Sequence, residues 1–200
     1  GVRLLQLAQQ LRILGDTHAL HFTPNADISI AEAEIFEKEG FEPILNLADR
    51  HDIDLHTHYK ASNNVPQDII QHANRGVYDL MLIGSSRPLF SSDETGGMVQ
   101  TFFENIGCPI GVLIDKGFSQ IKKVLLVYYD EKDRFLLNVL VNCAEITNGP
   151  ALQILSQNQA PPAMGTMATK INWQIQSELE MTSFREYDLL VISRNFWEII

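Results

Sequence analysis

An open α/β fold, with a parallel sheet, helices on both faces and the unit present twice, is the architecture this sequence predicts. Three observations carry the prediction. First, Tyr78-Asp79-Leu80-Met81-Leu82-Ile83 recurs as Tyr187-Asp188-Leu189-Leu190-Val191-Ile192, and each copy runs on to a Ser-Arg, Ser86-Arg87 and Ser193-Arg194. Second, each copy is an acidic lead-in followed by a continuous apolar run, the pattern of a strand buried on both faces of a parallel sheet. Third, such runs alternate with stretches of helical periodicity, which favours strand-helix-strand units over an all-helical or all-β fold. Fixed echoes of this kind are the signature of repeated units. Expected boundaries are 1–117 for the first unit and 118–200 for the second.

In order along the chain, Val2, Leu4, Leu5, Leu7, Ala8, Leu11 and Leu14 share one helical face, and Gly15 is placed to end that helix. Thr17–Thr23 reads as a strand. Ser29 suits the cap of a long helix reaching about Arg50, with a break expected at Gly40 or Pro43. Asp54–Tyr59 reads as the next strand. Pro66 opens a helix over Val65–Arg75, closed by Gly76. Leu80–Gly84 is a strand, Met98–Asn105 a helix and Ile110–Ile114 a strand. The second unit starts on the strand Lys122–Tyr129, then a helix from Asp133 to Thr147 and a strand at Ala151–Leu155. Pro161, Pro162 and Gly165 interrupt the pattern before Ile171–Gln176 and the Tyr187 segment resume it.

The two units are incomplete in complementary ways. The first lacks the strand that Lys123–Tyr129 supplies in the second. The second lacks the closing helix and strand that Met98–Ile114 supply in the first. Open sheet edges and exposed apolar faces are the expected consequence, and the chain is expected to be part of a longer polypeptide.

Bulk properties narrow the function classes. The 200 residues are 45% hydrophobic and 20% charged, with a net charge of −10. An acidic balance disfavours nucleic acid and anionic lipid surfaces, which reward clustered Lys and Arg. No apolar stretch approaches the roughly 20 residues of a membrane helix, so direct insertion by this segment is not expected. Two cysteines, Cys108 and Cys143, lie in apolar contexts and fit core thiols in a reducing, cytoplasmic compartment.

Among residues that could carry chemistry, His56 and His58 are two apart on one face of a strand and could hold a metal together or simply share a half-exposed face. His18 and His21 should point to opposite faces. Trp173 and Trp197 are expected to pack rather than stack a ligand. No nucleophile-base triad or carboxylate pair is legible, so no catalytic residue and no metal site is expected.

The stretch from Tyr78 through Gly84-Ser85-Ser86-Arg87, with Glu104-Asn105-Ile106-Gly107-Cys108-Pro109 and Ile110–Ile114 downstream, resembles the universal stress protein family. Across both repeats the chain resembles tandem domains of that family, with the adenine nucleotide alpha hydrolase-like fold. It is similar in particular to the paired domains on the cytoplasmic tails of bacterial cation/proton antiporters, and the Asp-Glu-Lys-Asp-Arg run at Asp130–Arg134 adds to that likeness.

The resemblance implies where an adenine nucleotide (ATP or AMP) would bind. Its residues here would be Gly84, Ser85, Ser86, Arg87, Gly96 and Gly97 around the phosphates, with Asp130 toward the base or ribose. Glycine removes the Cβ that blocks close approach, and a helix start supplies unpaired donors. This chain departs from the family loop. Its second glycine falls on Arg87, and its third on Gly97, followed by Met98 instead of a hydroxyl. Aligned back from Cys108-Pro109, Gly96 becomes third and Gly97 takes the hydroxyl's place. The glycine loop and the Asp also lie in different repeats. Weak or absent nucleotide binding is therefore expected, with Gly84 and Gly96-Gly97 marking tight turns. The resemblance implies a regulatory or sensor module attached to a membrane transport domain of the same polypeptide, in the cytoplasmic part of an inner-membrane protein, and a homodimer formed through Ile110–Ile114. The alternative is a free-standing tandem stress protein binding ATP or AMP.

Overall fold

The computed structural model describes residues 1–24, 27–85, 97–144, 149–157, 171–176 and 186–197. It is α/β, with every strand pair parallel. Two compact units form, one from Gly1–Gln6 and Leu14–Lys116, the other from Leu7–Ile13 and Gly117–Ile200.

The first helix, α1 (Val2–Gln10), stops short of Gly15. Arg12 adopts the left-handed conformation at φ 54°, its N–H donating to the Gln9 carbonyl while the Ile13 N–H donates to that of Ala8. This pair of bonds satisfies carbonyls at the helix end without glycine, so the chain turns three residues earlier than expected.

The first unit continues through β1 (Thr17–Thr23), α2 (Ile30–His51), β2 (Leu55–Ala61), α3 (Val65–Arg75), β3 (Met81–Ser85), α4 (Gly97–Asn105) and β4 (Ile110–Ile114). Ser29 caps α2, as the sequence led one to expect, and Glu32 reciprocates by accepting from the Ser29 N–H. The anticipated break in α2 does not occur. Pro43 sits on the exposed side, where water can take the carbonyl it leaves unpaired, and Phe41, Ile44 and Ala48 keep one buried face. Gly40 has a packing reason, since a Cβ there would lie 2.8 Å from the His21 ring.

In this unit β1 pairs with β2, from Thr17 beside Leu55 to Thr23 beside Ala61, and β3 pairs with β4. These are two separate two-stranded sheets instead of one continuous one. No described strand pairs with the second edge of β1 or of β3. Open sheet edges of this kind were the expectation from the sequence pattern. Helices cover both faces. Leu5 of α1 and Phe41, Ile44 and Ala48 of α2 pack with Ala19, Leu55 and Tyr59. Residues of alternate parity, His18, His58 and Lys60, face α3 instead. A separate core joins Ile70 and Ala73 of α3 to Phe102 and Ile106 around β3 and β4.

The second unit contains β5 (Lys123–Tyr128), a 3-10 turn (Glu131–Asp133), α5 (Arg134–Ala144), β6 (Ala151–Gln157), β7 (Asn172–Gln176), β8 (Leu189–Val191) and α6 (Arg194–Trp197). Its sheet has the order β7-β6-β5-β8. From Val124 to Tyr128, β5 is buried throughout, as befits a central strand between two partners. Its start is fixed by the Asp188 carboxylate, which accepts from the Lys122 and Lys123 N–H groups at 2.8 and 2.9 Å. Those two donors hold the Asp188 carboxyl below its ordinary range. Among the described residues, no helix is long and apolar enough to cross a membrane.

Candidate functional site

Four of the chain's six histidines converge in the first unit. Parallel pairing sets His18 of β1 beside His56 of β2, and Leu20 beside His58, so all four side chains share one sheet face. The His18 and His58 rings stack with centroids 5.1 Å apart, and His18 Nδ1 lies 2.8 Å from His58 Nε2. A single proton fits that contact. The Asp16 carboxylate lies 3.3 Å from both His18 Nε2 and His56 Nε2. With His18 carrying its proton toward Asp16, its Nδ1 accepts and His58 donates.

From the helical side α3 brings His72, whose ring centroid is 4.8 Å from that of His58 and whose Nε2 is 3.0 Å from the Tyr78 hydroxyl. Asn64 caps α3 and Pro66 lies in its first turn, which fixes the helix start and so the reach of His72. Nearer that start, Asp68 accepts from Lys60 Nζ at 2.6 Å and from the Ser62 hydroxyl at 2.5 Å. These donors hold the Asp68 carboxyl below its usual range. The result is a polar cleft of about 400 Å³ lined by Phe22, His58, Lys60, Asp68, His72 and Arg75.

Desolvation, and after it the neighbouring His58, His18 and Arg75, pushes the His72 imidazole below its ordinary value. The folded unit therefore binds fewer protons there than the unfolded chain, and stability falls as pH drops through the unfolded value near 6.5. The groups facing His72 are His18 and His58 from the strands, Arg75 on its own helix and the Tyr78 hydroxyl. The protection of amides in β1 and β2, measured relative to intrinsic exchange at each pH, is expected to fall between pH 7.5 and 5.5, and His72→Gln is expected to flatten that dependence. An unchanged slope in the variant would remove His72 as its source. A proton taken up by His72 would add a positive charge beside Arg75 and the strand histidines, and so raise the repulsion between α3 and the sheet.

His18 and His21 do point to opposite faces, since His21 packs edge-on against Phe41, 5.8 Å away, and stacks on Tyr59. The pair His56 and His58 was legible in the sequence, but its convergence with His18 and His72 was not. Among the described residues, no group of three His, Cys, Asp or Glu side chains is arranged to hold a metal ion.

The residues singled out for a nucleotide fare differently. Gly84 lies inside β3 and not in a turn, and a Cβ added there would meet nothing within 4 Å among the described residues. The β3–β4 ladder extends to Ser85, which keeps Gly84 extended. Ser85 ends β3 and Gly97 opens α4, so Gly97 is a helix start instead of a tight turn. Ser86, Arg87 and Gly96 lie outside the described residues. Asp130 belongs to the second unit, where its Oδ1 accepts from the Lys132 N–H at 2.8 Å and caps the 3-10 turn. Beside it, the Tyr128 hydroxyl donates to Glu131, and burial followed by that carboxylate pushes the phenol up to about 12.

Trp173 packs on Tyr128 with its Nε1–H donating to Ser156 Oγ at 2.8 Å, a structural use. Burial raises the half-buried Cys108 thiol above its ordinary value, which makes it a poor nucleophile. The Cys143 and Trp197 side chains lie outside the described residues.

No protein-family model matches the chain, and a search of curated proteins finds no match either.

Proposed function

We propose that the chain is a regulatory or sensor module of two universal-stress-protein-like units, serving as the cytoplasmic portion of a membrane cation/proton antiporter. The observation that supports the tandem reading best is strand order. The Tyr-Asp-Leu lead-ins make β3 the counterpart of β8, and β1-β2 then corresponds to β6-β7. On this reading both units descend from one plan whose middle strand is β5 in the second and has no counterpart among the described residues of the first. A non-enzymatic role fits the capping duty of Asp130 and the structural use of Trp173.

A module of this kind acts by shifting between states that bind a ligand or partner unequally. The histidine cleft offers one such input, protons, and the transport domain would be the output. The gene tests the antiporter assignment. A reading frame coding many apolar spans ahead of Gly1 supports it, and a short polar leader overturns it.

The second reading, a free-standing protein that binds ATP or AMP, is favoured by one observation, that no described residue lies within 4 Å of a Cβ built on Gly84 near the carboxyl end of β3. Calorimetric titration separates the two. Weak or absent binding is expected, because Arg87 and Met98 replace a glycine and a hydroxyl. ATP affinity tighter than about 10 μM, roughly −7 kcal/mol, would promote the nucleotide reading.

A homodimer through β4 belongs to the same proposal. Ile110–Ile114 holds no Lys or Pro to blunt its edge, and β4 pairs with β3 alone among the described strands. Val112→Lys is expected to weaken association in sedimentation. A monomeric unmodified protein at tens of micromolar, where a Kd near 1 μM, about −8 kcal/mol, gives mostly dimer, would rule the pairing out.

A further inference from the structure

We infer that the cleft between β2 and α3 is a receptor for a small phosphate monoester, its oxygens held by Arg75 and Lys60 and, once protonated, by His58 and His72. The inference rests on the cleft alone and not on the antiporter assignment.

The walls of the cleft are consecutive in the chain, β2 (Leu55–Ala61) and then α3 (Val65–Arg75). Strand alternation turns His58 and Lys60 toward the helix, and His72 and Arg75, three apart on α3, look back at them. The turn between the walls is pinned. Buried Ser62 accepts from the Asn64 N–H at 2.9 Å and donates to Asp68, while the Asn64 side chain caps α3 by accepting from the Gln67 N–H. The donors of the cleft are thus held in place before any ligand arrives, which lowers the cost of binding.

Charge is the second observation. In a chain of net charge −10, two cations and one carboxylate line this cleft. The carboxylate is already engaged, since Asp68 Oδ1 accepts from Lys60 Nζ at 2.6 Å and Oδ2 from the Ser62 hydroxyl at 2.5 Å. Lys60 keeps further N–H donors beyond that bond. Arg75 makes no hydrogen bond or ion pair with a described residue and feels Asp68 only as a more distant charge. A ligand made of acceptors answers this surplus of donors. A phosphate monoester carries about −1.5 to −2 charges at neutral pH and three acceptor oxygens, and a guanidinium takes two of them in a fork. A monocarboxylate would fill the Arg75 fork and leave Lys60 and the imidazoles without an oxygen. The cleft, at about 400 Å³, has room for the organic part of an ester as well, with Phe22 as its apolar contact.

The groups around His72 link the ligand to protons. His72 meets His18 and His58 from the strands, Arg75 from its own helix and the Tyr78 hydroxyl, with Lys60 and Asp68 lining the same cleft. Burial and the neighbouring cations disfavour its proton in the empty cleft. A bound dianion favours that proton, so ligand and proton each strengthen the other's binding.

The test follows the imidazole ring protons of the 200-residue protein by NMR during titration with phenyl phosphate and, separately, with sodium sulfate, at an ionic strength held constant with chloride. Saturable shifts of His58 and His72 are expected, while His21, on the opposite sheet face, and His51, at the end of α2, stay in place. Arg75→Gln is expected to weaken phenyl phosphate at least tenfold, and Arg75→Lys to retain part of the affinity. Arg50→Gln, which removes an equal charge from the same unit, should leave it unchanged. Sulfate stays dianionic across the range, so it isolates the protonation of the protein. Its affinity is expected to rise at least threefold from pH 7.5 to pH 6, and His72→Gln to abolish the rise. The His21 resonance, packed on Phe41 and Tyr59, reports that each variant is folded. Absence of a saturable shift at tens of millimolar phenyl phosphate overturns the receptor. So do parallel shifts of all six histidines, or equal losses in Arg75→Gln and Arg50→Gln. None of these readouts touches Gly84 or the gene upstream of Gly1, so the receptor stands or falls apart from both readings of function.

Discussion

Leu126→Ala is expected to destabilise the second unit by about 3–5 kcal/mol, the cost of deleting a fully buried leucine that its surroundings cannot refill. Leu126 is fully buried, paired on one side with Ile154 of β6 and on the other with Val191 of β8. A central strand is bonded on both edges and so has little freedom to shift into the void. Against a typical domain stability of about 5–15 kcal/mol, such a loss is a large share. Both tryptophans, Trp173 and Trp197, belong to the second unit, so their fluorescence in a denaturant titration reports on it. Leu126→Met, which conserves volume, should cost under about 1.5 kcal/mol. A loss below about 1 kcal/mol for the alanine variant would show that β5 is not the centre of the core.

Much of the fold was legible because apolar runs and caps are local signals. Thr17–Thr23, Val65–Arg75 and Ile110–Ile114 emerge with the bounds their patterns indicated, and Ser29 and Pro66 act where their chemistry places them. What the pattern missed depends on partners distant in sequence. Arg12 turns the chain because bonds back to Ala8 and Gln9 outweigh the glycine preference. Pro43 is tolerated because it falls on the solvent side of a helix whose other face is anchored by Phe41, Ile44 and Ala48. The division of the first unit into two sheets was foreshadowed only by the missing strand, since pairing is not written in any single run.

The candidate site shows the same division. His56 and His58 announce a face, but nothing local says that the register of β1 lays His18 beside them or that α3 delivers His72. Had the parallel pairing been known, strand alternation alone would have grouped His18, His56 and His58. The spacing Asn64-Val65-Pro66 then fixes which α3 residues look down on that face. Asp188 was visible as part of the repeat, yet its job of fixing the start of β5 became visible only with the neighbouring strand in place.

Asp133 is the second position where a large effect is expected, and it was read in the sequence merely as the start of a helix. Its side chain is almost wholly buried, accepting from the Tyr129 N–H at 2.8 Å and from the Asp130 N–H at 3.4 Å. Those two donors lie where β5 ends and the chain bends into α5. Asp133→Ala would remove the acceptor that both share and leave a void where the buried carboxylate sat, at a cost of about 2–4 kcal/mol. Asp133→Asn keeps one acceptor oxygen and should cost less. Asp130→Ala removes only a cap to the Lys132 N–H, worth about 1 kcal/mol. The expected order of destabilisation is therefore Asp133→Ala, then Asp133→Asn, with Asp130→Ala near the bottom of the series. Tryptophan fluorescence in urea reads all three. If Asp130→Ala proves the most damaging, the turn is held by its cap and not by the buried carboxylate. Freed of a structural burden in that series, Asp130 would remain available to meet a ligand at the carboxyl end of β5.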